Sequence, residues 1–90
     1  MSRRPLSDAE RHHGERLGRI LAEHREAARR SAADIARVSD VSLDAVRSVE
    51  TGRVPTPAFL TIARLADALG LSLDDLHARA SLPPAAMDSR

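Results

Sequence analysis

The chain has 90 residues, the length of one small domain, and a formal net charge of +1. It has no cysteine, which excludes disulfides, thiolate catalysis and zinc–cysteine sites. No apolar run follows Arg3 and Arg4 and no segment nears the roughly 20 apolar residues of a membrane span, so a soluble, cytoplasmic protein is expected.

Apolar residues make up 42% of the chain, and Phe59 is its single aromatic. Ala and Leu dominate the rest. They are strong helix formers, whereas strands favour aromatic and β-branched residues, so an all-α fold is expected. All fourteen cations are arginine. Residues 1–30 carry eight of them against five acids, so the basic excess lies at the N-terminal end.

Serine and threonine punctuate the chain at helix-cap positions. Ser7 with Glu10, Ser31 with Asp34 and Ser72 with Asp75 have capping-box spacing. Thr56 before Pro57 has the spacing of an N-cap followed by proline at the first helical position. The first helix is expected over about Asp8 to Arg29, with Leu17, Ile20, Leu21, His24 and Ala28 on one stripe. Gly14 and Gly18 weaken its first half and allow a start near Glu15. A short second helix is expected over Ala32 to Ser39, then a turn at Asp40-Val41. A third is expected over Leu43 to Thr51, capped by Ser42 and ended by Gly52. Two prolines make 53–56 a loop. The fourth helix is expected over Pro57 to Leu69, with Phe59 on its apolar side, and the fifth over Leu73 to Arg79. Residues 1–13 are thus an arm with the start of the first helix, 14–80 the domain, and 81–90 a mobile tail.

The second and third helices have the spacing of a helix-turn-helix unit. Ala36 is small where the helices must cross, Val41 is apolar in the turn, and Val46 and Val49 can anchor the third helix. Leu43, Asp44, Arg47 and Ser48 then share its outer face as candidate base readers, with Arg47 its only cation. Asp44 can accept from cytosine N4 and Leu43 can cover a thymine methyl. Ser31, Ser42, Thr51, Arg53 and the arm residues Arg3 and Arg4 are candidate phosphate contacts. Surplus apolar residues at Leu71, Leu73, Leu76 and Ala80 suggest a dimer interface.

From Leu17 to Leu76 the sequence resembles the lambda-repressor/Cro-like (XRE) family. The stretches that carry the resemblance are Leu17-Gly18-Arg19-Ile20-Leu21, Asp34-Ile35-Ala36, Val41-Ser42, Val46, Val49-Glu50-Thr51-Gly52 and 65–76, Leu-Ala-Asp-Ala-Leu-Gly-Leu-Ser-Leu-Asp-Asp-Leu. The resemblance implies a five-helix domain, a homodimer, double-stranded DNA as partner, the third helix in the major groove, and an ion pair between Arg25 and Glu50. The expected function is a sequence-specific transcriptional regulator, with repression as its mode. The sequence departs from the family at Ala32, Arg30, Asp40 and Asp44, where relatives more often carry Gln, an apolar residue, Gly and a longer polar residue.

The alternatives are a helix-turn-helix module for a protein partner, favoured by the near-neutral charge and Asp44, and an antitoxin subunit that also holds a toxin, through the Pro83-Pro84 segment. No phosphate loop or nucleophile motif is present, so no enzymatic activity and no cofactor are expected. His12, His13 and His24 lack the companions of a ligand set, so no metal site is expected.

Overall fold

A computed structural model describes residues 5–82. It contains helices α1 (Asp8–Ala27), α2 (Ala32–Ser39), α3 (Leu43–Glu50), α4 (Phe59–Leu69) and α5 (Leu73–Ala80), with no strand among the described residues. The fold is all-α. Arg3, Arg4 and the 83–90 segment lie outside the described residues.

Four of the five helices open on the serines that the sequence marks. Ser7, Ser31, Ser42 and Ser72 each accept a hydrogen bond from the backbone N–H three residues on, satisfying one of the unpaired first-turn donors. Only Ser7 completes a capping box: its own N–H donates to Glu10 Oε1 at 2.8 Å. At Ser31 the box stays half made, because Arg30 and Arg37 take the Asp34 carboxylate instead. The firm start at Asp8 overrides the weakening expected from Gly14 and Gly18. The end comes earlier than expected, at Ala27 rather than Arg29, because Arg29 turns left-handed with φ 60° and reverses the chain.

The fourth helix corrects the sequence reading. Thr56 is not its cap and Pro57 is not its first residue: α4 starts at Phe59, after Ala58, with no side-chain cap. The preceding loop is held in place elsewhere. Val54 N–H donates to Ser48 O at 3.3 Å, and the Pro55 backbone lies directly against Gly14. The chain becomes free to turn helical only beyond these contacts. Phe59 consequently falls in the first turn, at the edge of the domain, and is 74% exposed. The inward-facing stripe of α4 is Ile62, Leu65 and Ala66.

All five helices contribute to one core, whose most deeply buried large side chains are Leu21, Ile35, Val46 and Leu65. Val41 packs against it from the α2–α3 turn, where Asp40 adopts φ 60° and Val41 N–H reaches Ala36 O at 3.0 Å. Leu76 and Ala80 also belong to this core, 2% and 0% exposed. They pack beneath α5 within the protomer, which corrects their assignment to a dimer interface. Arg16 secures that packing by donating from Nε to Ala80 O at 2.6 Å.

Helix α1 crosses α3 closely at Gly18. A Cβ there would collide with Val49 O and crowd the Glu50 carbonyl. Gly18→Ala therefore gains about 1 kcal/mol of helix propensity but overpacks a backbone-to-backbone contact at a cost that exceeds it. A net loss on the order of 2 kcal/mol is expected in chemical denaturation. A neutral or stabilising result would show that α1 and α3 can separate freely.

Candidate nucleic-acid interface

The second turn of α3 is anchored by Val46 and Val49, both buried. The opposite side carries Asp44 and Arg47, one turn apart and exposed. The Arg47 guanidinium has no ion-pair or hydrogen-bond partner among the described residues. Asp44, which at i, i+3 could have neutralised it, pairs instead with Arg53, whose Nη2 lies 3.0 Å from Asp44 Oδ1. Ser42 caps the helix through Ala45 N–H at 3.0 Å, and Ser31 caps α2 through Asp34 N–H at 3.0 Å. Both hydroxyls are exposed, at helix N-termini where backbone N–H groups favour anions. Thr51 is exposed and donates its hydroxyl to Arg47 O at 2.8 Å.

Two expected base readers are placed differently. Ser48 is 6% exposed. It lies one turn from Asp44 as the spacing requires, but the 51–54 loop folds back over it. Arg53 Nη2 donates to Ser48 Oγ, and Val54 N–H to Ser48 O. Ser48 is therefore a support for the loop rather than part of the open face. Leu43 is half-buried and packs against the core, because it sits one turn before Val46 at the margin of the buried stripe.

The pair expected between Arg25 and Glu50 is fork-to-fork. Arg25 Nε lies 2.7 Å from Glu50 Oε2, and Nη2 lies 3.0 Å from Oε1. Nη1 donates to Arg30 O at 2.8 Å. Both side chains are largely shielded, 15% and 12% exposed. The Glu50 hydrogen bonds hold the Arg25 guanidinium in its charged form, raising its pKa above the ordinary arginine value against the opposing effect of burial.

Three other arginines make contacts that the helix-turn-helix pattern does not mark; only the i, i+4 and i, i+3 spacing of Arg30 and Arg37 to Asp34 could have pointed to any of them. Arg30 bonds Asp34 Oδ2 at 2.8 Å and reaches Ala68 O at 3.5 Å. Hydrogen bonds from Arg30 and then Arg37 hold the Asp34 carboxyl below the usual carboxylate range. Arg64 Nη1 lies 3.3 Å from Asp40 O, steadying the α2–α3 turn from α4.

A second surface lies across α1, the start of α4 and α5. It is a groove of about 510 Å³, lined by His13, Leu17, Pro55, Pro57, Phe59, Ile62, Leu73 and His77 among others. The His13 and His77 rings stand 5.5 Å apart, tilted by 51°, and His13 Nε2 is buried without a hydrogen-bond partner. Burial first, then His77 and Arg16, push the His13 pKa below its ordinary value. Asp74 also borders the groove. No group of three metal-ligating side chains comes together among the described residues, and none of their helices is long and apolar enough to cross a membrane.

Two short helices at a tight turn, the second anchored on one side and carrying an open cation on the other, define a helix-turn-helix domain of the DNA-binding class. The chain matches the helix-turn-helix domain family over residues 16–80, from the middle of α1 to the end of α5, and belongs to that family. The match is consistent with the lambda-repressor/Cro-like pattern seen in the sequence. No curated protein shows a significant match to the chain.

Arg25→Ala and Glu50→Ala should each destabilise by about 3 kcal/mol, since each strands a shielded charge. The double variant should lose less than the sum in thermal or urea melts. Strict additivity would mean that the two side chains do not support one another.

Lowering the pH should weaken the fold through His13. Its folded-state pKa lies below the 6.5 of the free side chain, so the unfolded chain binds the proton first. Stability is full above pH 6.5 and falls as the pH drops below it. Replacing His13 with Leu should flatten that part of the curve; an unchanged slope would assign it to other groups.

Proposed function

We propose that this protein is a sequence-specific DNA-binding transcriptional regulator of the lambda-repressor/Cro-like kind, acting as a homodimer and repressing by occupying its operator. The observation that carries the reading is Arg47. It is the only cation of α3, it points away from the anchored side, and no acid among the described residues pairs with it. A guanidinium so placed suits either guanine O6 and N7 or a backbone phosphate. Leu43 would flank it with its open edge. Ser31 and Ser42, whose capping oxygens accept and so leave their O–H groups free to donate, would take phosphates with the N–H groups at the starts of α2 and α3; Thr51 would join them only by releasing Arg47 O. The work is binding rather than catalysis, in the cytoplasm where an operator is reached.

One eight-residue helix contacts too few base pairs for useful specificity, and a two-fold pair of domains doubles the site. With Leu76 and Ala80 committed to the core, the surface offered for pairing is the face around Phe59, Leu60 and Leu73, all exposed. Phe59 stands at the lip of the apolar groove. Each copy therefore offers both a projecting ring and a hollow, the self-complementarity that a two-fold interface requires. The same face supports a second reading, in which the domain chiefly binds another protein. DNA binding separates the two.

Selection from random fragments should return an inverted repeat with half-sites about one helical turn apart. On that site Arg47→Ala should cost roughly 1–3 kcal/mol with preference lost at one base pair, or else weaken all sequences evenly with a salt slope smaller by about one. Failure of the unmodified protein to bind any duplex at low salt would favour the protein-binding reading. Unchanged affinity in a folded Arg47→Ala variant would remove α3 as the reading element.

A further inference from the structure

The Arg53 side chain does not extend outward from its loop. Gly52, with φ 75°, reverses the chain after α3, and Arg53 lies back along the helix. Its Nη2 is shared between two acceptors, Asp44 Oδ1 at 3.0 Å and Ser48 Oγ. Asp44 and Ser48 are four residues apart, so they present their oxygens on one side of the helix, one turn apart. One is a charged, open carboxylate; the other is a buried hydroxyl. Together they fix the guanidinium in position and orientation.

We infer that Asp44 is a positioning residue for Arg53, and that Arg53, not Asp44, meets the DNA. Nη2 is occupied, but Nε and Nη1 keep their N–H groups without a protein partner among the described residues. The Arg53 side chain remains 60% exposed. Its free donors suit an acceptor oxygen of DNA, whether guanine O6 or a phosphate. Direct contact by Asp44 is disfavoured on two counts. A carboxylate beside phosphates is repelled, and the Arg53 guanidinium already draws on the charge of this one, leaving it a weaker acceptor for cytosine N4. An arginine held in advance also loses less side-chain entropy on binding than one free in solvent. The acid at this position, a departure from the family pattern, then aids binding instead of opposing it. An exposed pair of this kind adds little to stability, so its value lies in placing Arg53.

The inference rests on the DNA-binding reading, and a double-mutant cycle on DNA binding tests it. The probe is the duplex selected by the unmodified protein, with Asp44→Ala, Arg53→Ala, the double variant and Asp44→Asn all measured on it. Arg53→Ala should lose about tenfold in affinity and Asp44→Ala roughly three- to tenfold. Asp44→Ala should change affinity less than about twofold when Arg53 is already Ala. Asp44→Asn, which keeps an oxygen acceptor, should recover part of the loss. Thermal melts should barely move, which separates positioning from folding. If Arg53 reads a base, both variants lose preference at the same base pair. If it holds a phosphate, both weaken all sequences and lower the salt slope. Tighter binding by Asp44→Ala would overturn the inference, showing simple repulsion. So would a full effect of Asp44→Ala in the Arg53→Ala background, which would make Asp44 an independent reader. If the unmodified protein binds no duplex, the DNA-binding reading fails with it; additive variants of a protein that binds overturn this inference alone.

Discussion

The orientation of α3 depends on how it is held against α1, and two contacts of different physical kinds do that. At Gly18 the helices meet backbone to backbone, with no side chain on α1 to keep them apart. Seven residues later Arg25 grips Glu50 through two nearly parallel N–H···O bonds, and its third nitrogen takes Arg30 O. The close approach fixes the separation of the helices. The bidentate pair fixes rotation, because a planar fork meets a carboxylate in one arrangement. Desolvating both charges makes this pair a poor source of net stability. Its physical value lies in specificity: a single acceptable pose for α3, and through Arg30 O, for the entry into α2.

The α2–α3 turn sits on that frame and is braced from both sides. Val41 fills it from within, and Arg64 holds the Asp40 carbonyl from α4. Asp40 adopts a left-handed conformation, φ 60°, that glycine takes more readily, at a cost its neighbours offset. Beyond α3 the loop turns back, so Ser48 and the Arg53 side chain form a shelf along the helix. The open face of α3 is thus narrower than a helical projection indicates, and is bounded by side chains whose positions are set.

Those features differ in how readily the sequence reveals them. Serine caps are local: an oxygen and an N–H three residues away decide them, so Ser7, Ser31, Ser42 and Ser72 mark helix starts correctly. Thr56 fails because its loop is tethered by contacts distant in sequence, Pro55 on Gly14 and Val54 on Ser48. Periodicity ranks residues by face but not by the width of cover. Ser48 shares a face with Asp44, yet a loop covers it; Leu76 and Ala80 look surplus only until α1 closes over α5. Arg25 with Glu50 is legible because the family pattern brings the two positions together. Arg30 with Asp34 and Arg64 with the Asp40 carbonyl carry no such mark. An arginine that reaches a carbonyl leaves no signature in the residue it binds.

The apolar face around Phe59 follows from the same local geometry. Because α4 starts two residues later than the Thr56-Pro57 pair suggests, Phe59 lies on the stripe of Ile62 but past the edge of α1 and α5. Among the described residues no layer covers it. Extending the core would need a longer α5 or a bulkier loop than Pro55-Thr56-Pro57. Instead the domain leaves a hollow beside its single aromatic ring. Burying that ring would contribute roughly 2–3 kcal/mol, a substantial share of the stability of a domain this size. A domain of this length buries too small a fraction of its surface to be indifferent to such a gain. The exposed ring and, under the proposed DNA-binding function, the shortness of α3 therefore favour the same remedy. A second copy seated on the Phe59 face would complete the apolar packing and present a second α3 to the duplex.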